Sequence, residues 1–127
     1  MTSTTSVSPY RRFPGHAEEA MRAYADIFGA EVEILPTPDG QVMHSALVRD
    51  GRTFLLGSDT FPGEEHVPGT DTPLAITGDD EAEIRGYWER LAEGAEILSP
   101  LEPAPWGALF GLLQDRFGTR WMFNIAA

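Results

Sequence analysis

Hydrophobic and polar positions along this chain switch between two periods, and the switch is sharpest near the end. From Trp106 to Asn124 the order W-G-A-L-F-G-L-L-Q-D-R-F-G-T-R-W-M-F-N reads as two strands around a tight turn. The runs are Ala108–Gln114 and Thr119–Ile125, and Asp115 to Gly118 is the turn, where glycine takes a positive φ cheaply. In the second run Thr119, Trp121, Phe123 and Ile125 point one way, while Arg120, Met122 and Asn124 point the other. The first face needs a helix over it. The second is mixed and polar, which suits either the lining of a cavity or the solvated back of an ordinary antiparallel hairpin.

The same logic orders the rest. Val7–Phe13 reads as a strand that starts late or lies at an edge, because Pro9 lacks a ladder donor. Pro14 to His16 is a turn. Ala17–Phe28 is a helix, with Ala17, Ala20, Met21, Tyr24, Ala25 and Phe28 recurring at three and four residues and Gly29 as its C-cap. Glu31–Leu35, Val42–Val48 and Thr53–Ser58 follow as strands, the last two joined by the hairpin signal Asp50-Gly51. The stretch 59–70 has no periodicity and reads as a connecting loop. Then the order returns: strand Pro73–Thr77, a helix opened by Asp79-Asp80-Glu81 and running to Glu93, a short strand Glu96–Leu98, a three-proline loop Pro100–Pro105, and the final hairpin.

The chain is therefore β-α-β-β-β written twice. Helix, glycine and strand recur as A-D-I-F-G-A-E-V-E-I at 25–34 and R-L-A-E-G-A-E-I-L at 90–98. Neither half can bury its sheet alone, so the two should pair, one helix on each sheet and a cavity between the free faces. Tyr24, Tyr87, Trp88 and Trp121 are expected in the core.

Composition narrows the function. The length of 127 residues suits one domain. There is no cysteine, which removes disulfides, thiol nucleophiles and Cys-ligated zinc. All nine basic residues are arginine against twenty acids, a formal charge of −11, which argues against nucleic acid and anionic membranes as partners. The apolar runs are too short to span a bilayer, and the polar start lacks the layout of a signal peptide, so a cytoplasmic location is expected. No G-x-S-x-G elbow and no phosphate-cradling glycine loop accompany the serines and glycines.

Five stretches together resemble a known family: E-E-A-M-R-A-Y-A-D-I-F-G-A at 18–30, M-H-S-A-L at 43–47, G-S-D at 57–59, W-G at 106–107 and D-R-F-G-T-R-W-M-F-N at 115–124. The chain is similar to the vicinal-oxygen-chelate superfamily of glyoxalases, bleomycin-resistance proteins and dioxygenases, and within it to the PhnB-like branch. The resemblance implies an α+β glyoxalase-like fold, with paired βαβββ modules making a cup-shaped mixed sheet. It implies a single domain over 1–127, built of module 7–58 and module 71–126 joined by loop 59–70, and a homodimer. Metal-using members carry His and Glu ligands on the first and fourth strand of each module. The matching positions here are Ser8 or Pro9, the Leu56–Ser58 region, Pro73 and Met122, none of them His or Glu. Asp71 and Asp59 could donate only from a shifted register. No metal site and no cofactor are expected. PhnB-like chains are sometimes labelled methyltransferases, but no glycine-rich strand–loop–helix for such a cofactor is present.

The expected function is small-molecule binding in a metal-free cavity. The alternative is a metal-dependent lyase, isomerase, transferase or dioxygenase. The candidate ligand-binding residues are Tyr10, Arg12, His44, Asp59, Trp106, Gln114, Arg120, Met122 and Asn124. His44, mid-strand, reads as a base or ligand hydrogen-bonder, or as a histidine satisfied by backbone or at a dimer contact. Arg12 and Arg120 read as anion ligands, or as partners of local carboxylates. Trp106 is expected to pack a loop over the mouth of the cup, and Asp59 to cap the following loop or touch a ligand.

Overall fold

The computed structural model describes residues 6–60, 63–67 and 72–126. The chain divides into two compact units, Met1–His66 and Val67–Ala127. The first contains β1 (Tyr10–Phe13), α1 (Ala17–Phe28), β2 (Glu31–Pro36), β3 (Val42–Arg49) and β4 (Arg52–Asp59). The second contains β5 (Leu74–Gly78), α2 (Glu81–Leu91), β6 (Glu96–Pro103), β7 (Leu109–Gln114) and β8 (Arg120–Ile125). Each is a βαβββ module with a four-stranded mixed sheet, in the orders β1-β4-β3-β2 and β5-β8-β7-β6. In both, the first strand pairs parallel with the last, and the other pairs are antiparallel.

In the first module α1 buries Ala17, Ala20, Met21, Tyr24, Ala25 and Phe28, the stripe expected from their spacing. Burying a side chain such as Phe28 contributes roughly 1.5–3 kcal/mol. Gly29 ends the helix in the left-handed conformation, its N–H bonded to the Ala25 carbonyl. Gly57 lies in β4 beneath the helix, where an added Cβ would stand 3.1 Å from Met21 Sδ. Ser45 is buried on the same strand system and donates its hydroxyl to the Gly57 carbonyl at 2.7 Å. Asp50 and Gly51 both take positive φ, as a two-residue hairpin with a matching twist requires.

In the second module α2 is capped by Asp80, whose carboxylate accepts the Glu83 N–H at 3.1 Å. Trp88 meets Phe123 edge-on at 5.0 Å between ring centres. The close approach depends on Gly111 in β7: a Cβ there would stand 2.9 Å from the Trp88 ring and 3.0 Å from the Leu101 Cα.

Several expectations need correction. β1 begins at Tyr10 and not at Val7, since the preceding proline can offer only its carbonyl, which accepts the Leu56 N–H. α2 ends at Leu91, and residues 92–94 form a turn closed by the positive φ of Gly94. Tyr87 and Trp88 are half-buried, while Tyr24 and Trp121 are core. The largest change is β6, which runs through Ser99, Pro100, Leu101 and Glu102 to Pro103, where a loop was expected. β6 is the edge of its sheet, where a proline's missing N–H can face away from the neighbouring strand. Its register shifts twice, between Ile97 and Ser99 and between Ser99 and Glu102. Of the expected loop 59–70, Asp59 ends β4, and residues 61, 62 and 68–70 lie outside the described residues, as does Asp71.

The duplication runs further than the helices. P-T-P-D-G at 36–40 and P-A-P-W-G at 103–107 occupy the same β-hairpin in the two modules. Thr37 to Gln41 and Ala104 to Ala108 close with the same two backbone bonds, and Gly40 and Gly107 both have positive φ. The strand that leads into this turn is two residues longer in the second copy, eight in β6 against six in β2. The two bulges of β6 absorb them.

Candidate functional site

In each module one sheet face carries the helix and the other does not. On β8 the helix-bearing face holds Trp121, Phe123 and Ile125, all buried, and the other face holds Arg120, Met122 and Asn124, all half-buried. Register extends this second face. Gln114 lies opposite Arg120, Leu112 opposite Met122 and Phe110 opposite Asn124, with Ala75 and Thr77 of β5 beside Met122 and Asn124. Two hydrogen bonds organise its ends. Arg120 Nε donates to Gln114 Oε1 at 3.0 Å, and Trp106 Nε1 donates to Asn124 Oδ1 at 3.1 Å. Trp106 sits at the tip of the β6–β7 hairpin, is 63% exposed, and meets Phe110 edge-on at 5.5 Å. Trp106, Gln114, Arg120, Met122 and Asn124 are thus brought to one face. The acids nearest to it by register are Glu96 and Glu102 on the edge strand β6, both exposed, opposite Gln114 and Phe110.

The helix-free face of the first module carries Tyr10 and Arg12 from β1, His44 and Ala46 from β3, and Leu56 and Ser58 from β4. The Tyr10 hydroxyl lies 3.1 Å from His44 Nδ1, with the rings 5.7 Å apart and tilted. Both residues are exposed. A Tyr hydroxyl that donates to Nδ1 leaves Nε2 of His44 as the outward N–H. Arg12 is ion-paired with Glu64, from the segment that follows β4. The local-carboxylate reading therefore describes Arg12, whereas Arg120 is held by an amide.

Asp59 takes a different part from a ligand contact. It is 4% exposed and lies on the helix side, paired in register with Phe13. One oxygen accepts the Ala17 N–H at 2.9 Å and the other the Val42 N–H at 2.8 Å. His16, at the N-cap position, makes no side-chain cap, and Asp59 supplies that bond from 42 residues away. Asp115 does similar work in the second module. One oxygen accepts the Phe117 and Thr119 N–H groups, and the other accepts Trp121 Nε1 at 2.8 Å. Neither role was foreseen. A D-x-x-G turn before an aromatic strand is the signal that could have pointed to Asp115. Phe110 and Leu112 were also missed, although the Asp115–Gly118 turn, once its length is known, dictates that they face Asn124 and Met122.

Among the described residues, no three or more His, Asp or Glu side chains are arranged to hold a metal ion. The helix-free positions nearest the expected ligand strands hold Tyr10, Leu56, Ser58, Ala75 and Met122, which do not make a donor set for a divalent cation. His16 packs on Phe13, and His66 Nδ1 lies 3.4 Å from Thr60 Oγ1. Also among the described residues, no helix is long and apolar enough to cross a membrane.

Comparison with known proteins bears on the whole chain. Uncharacterized proteins of Mycobacterium bovis and Mycobacterium tuberculosis are 32% identical over 114 residues, 83% of this chain. The chain spans 73% of the first protein's length and 65% of the second's. The crystal structure of protein PA1353 from Pseudomonas aeruginosa is 31% identical, with a TM-score of 0.88 over 97% of this chain and 98% of that one. The PhnB protein from Bacillus cereus is 28% identical, with a TM-score of 0.80 over 96% of this chain and 100% of that one. A family model matches residues 6–123. With its two four-stranded mixed sheets and two helices, the chain belongs to the glyoxalase/bleomycin resistance protein/dioxygenase superfamily.

Proposed function

We propose that this chain is a small-molecule-binding protein of the PhnB-like branch, that it takes its ligand on the helix-free sheet faces without a resident metal ion, and that it works as a cytoplasmic homodimer. One observation carries the reading: on the second module's helix-free face Arg120, Gln114 and Asn124 are half-buried and hydrogen-bonded to partners on that face, beside a largely exposed indole. Apolar Met122, Leu112 and Phe110 between and beside them supply the surface that ligand sites bury. Tyr10, Arg12 and His44 are the corresponding candidates on the first module. Asp59 leaves the set, because both of its oxygens are committed to backbone donors.

The branch assignment rests on the B. cereus PhnB protein and on the W-G and D-R-F-G-T-R-W-M-F-N stretches. The metal-free reading rests on the side chains present. A metal-dependent lyase, isomerase, transferase or dioxygenase would need His or Glu where Met122, Leu56–Ser58 and Pro73 stand. The test follows the Trp106 indole N–H resonance, assigned with Trp106→Phe, during titration with a library of small organic fragments. Saturable shifts of Trp106, together with a protein that carries no stoichiometric divalent ion when purified without chelators, are the expected results. A bound ion at one per chain, or a library that never moves Trp106, overturns the proposal.

A further inference from the structure

The two amides on the second module's helix-free face are turned the same way. Trp106 Nε1–H and Arg120 Nε–H can only donate, so the atoms they meet on Asn124 and Gln114 are the amide oxygens. Each amide therefore points its NH₂ away from its partner. The guanidinium of Arg120 keeps its two terminal nitrogens for another acceptor, since its described bond uses Nε. Arg120, Gln114 and Asn124 thus present donors, in a chain whose formal charge is −11. Among the described residues, the only acids near this face by register, Glu96 and Glu102, stand on the exposed edge strand, and none is ion-paired with Arg120.

The donors are spaced. Arg120 and Asn124 are four residues apart on one strand, so their Cα atoms are separated by about 13 Å. Met122 and Leu112 lie between them, and Phe110 and Trp106 flank the Asn124 end. The face is a strip with a cationic fork at one end, an apolar middle, and an amide donor with an aromatic edge at the other.

We infer that this strip binds an amphipathic monocarboxylate: a carboxylate on Arg120 and Gln114, an apolar chain over Met122 and Leu112, and a carbonyl oxygen on Asn124 beside an aromatic or otherwise flat terminus against Trp106. The inference deepens the small-molecule reading given above and rests on it. A carboxylate fits better than a phosphate or phosphonate. The free end of one guanidinium offers two parallel donors, which match two carboxylate oxygens. A dianion would have a single cation to neutralise it, with Glu96 nearby.

The probe is 6-oxo-6-phenylhexanoate, compared with its methyl ester, with 6-phenylhexanoate, which lacks the ketone, and with the corresponding phosphonate. Binding is read by the Trp106 indole resonance and by calorimetry. The acid should bind saturably and the ester more weakly by about tenfold or more, the loss expected of one charge-assisted contact. Arg120→Gln should cost the acid about tenfold or more and the ester less, so that the gap between acid and ester closes. Removing the ketone should weaken binding to the parent protein but make no difference to Asn124→Leu. Equal affinity for acid and ester, or tighter binding of the phosphonate, overturns the inference, and both comparisons use the unaltered protein, so they decide even where a variant fails to fold. If the acid does not bind while neutral fragments still move Trp106, the carboxylate inference falls and small-molecule binding stands. If nothing moves Trp106, both fall.

Discussion

Replacing Asp59 by Asn tests whether a single carboxylate holds the first module's helix to its sheet. The side chain is 4% exposed and accepts two backbone N–H groups, from Ala17 at the start of α1 and from Val42 at the start of β3. Asn has nearly the same shape but only one acceptor oxygen. Whichever way its amide turns, an NH₂ faces a backbone N–H, and one buried donor loses its partner. That loss costs about 1–3 kcal/mol. Removal of the negative charge from the helix N-terminus adds about 0.3–1 kcal/mol. The sum is roughly 1.3–4 kcal/mol. At this chain length 1 kcal/mol corresponds to roughly 4 °C, so Tm should fall by roughly 5–16 °C. Thermal unfolding followed by circular dichroism, together with urea unfolding, measures it. Hydrogen exchange should show the Ala17 and Val42 amides losing protection first. A destabilisation below about 0.5 kcal/mol, the range of ordinary surface changes, would refute the reasoning.

Two further substitutions probe the second module. Gly111→Ala drives a methyl to within 2.9 Å of the Trp88 ring and 3.0 Å of the Leu101 backbone, and should destabilise by about 1–3 kcal/mol in denaturant unfolding. Asp115→Ala strands the buried Trp121 indole N–H and two turn amides, and should cost about 2–4 kcal/mol and alter the near-ultraviolet dichroism of the tryptophans.

Where one face of an element is apolar and its ends are marked, sequence was enough. α1 was read to the residue because its stripe, its Gly29 stop and its breaker turn agree. The division of β8 into a core face and a mixed face held for the same reason. β6 defeated the reading because three prolines in six residues argue for a loop, and only its position at a sheet edge, a tertiary fact, makes them harmless. Of the candidate site, Gln114, Arg120, Met122 and Asn124 gathered on one face, because period-two alternation and a known turn fix sidedness. The partnerships did not show. Trp106 with Asn124 and Arg12 with Glu64 join segments whose separation depends on how a loop folds back. Asp59 was misjudged because its two donors are distant in sequence, where no local pattern can announce them.

The parallel pairing of each opening strand with its closing strand has a consequence for assembly. β1 finds its place only against β4, and β5 only against β8, so each sheet must acquire its last-made strand before its first-made strand has anything to join. The hairpins of neighbouring strands close small loops, whereas this clasp closes one of roughly 45 residues and carries the larger entropic penalty. The native pairing of each opening strand therefore needs the whole of its module to be present.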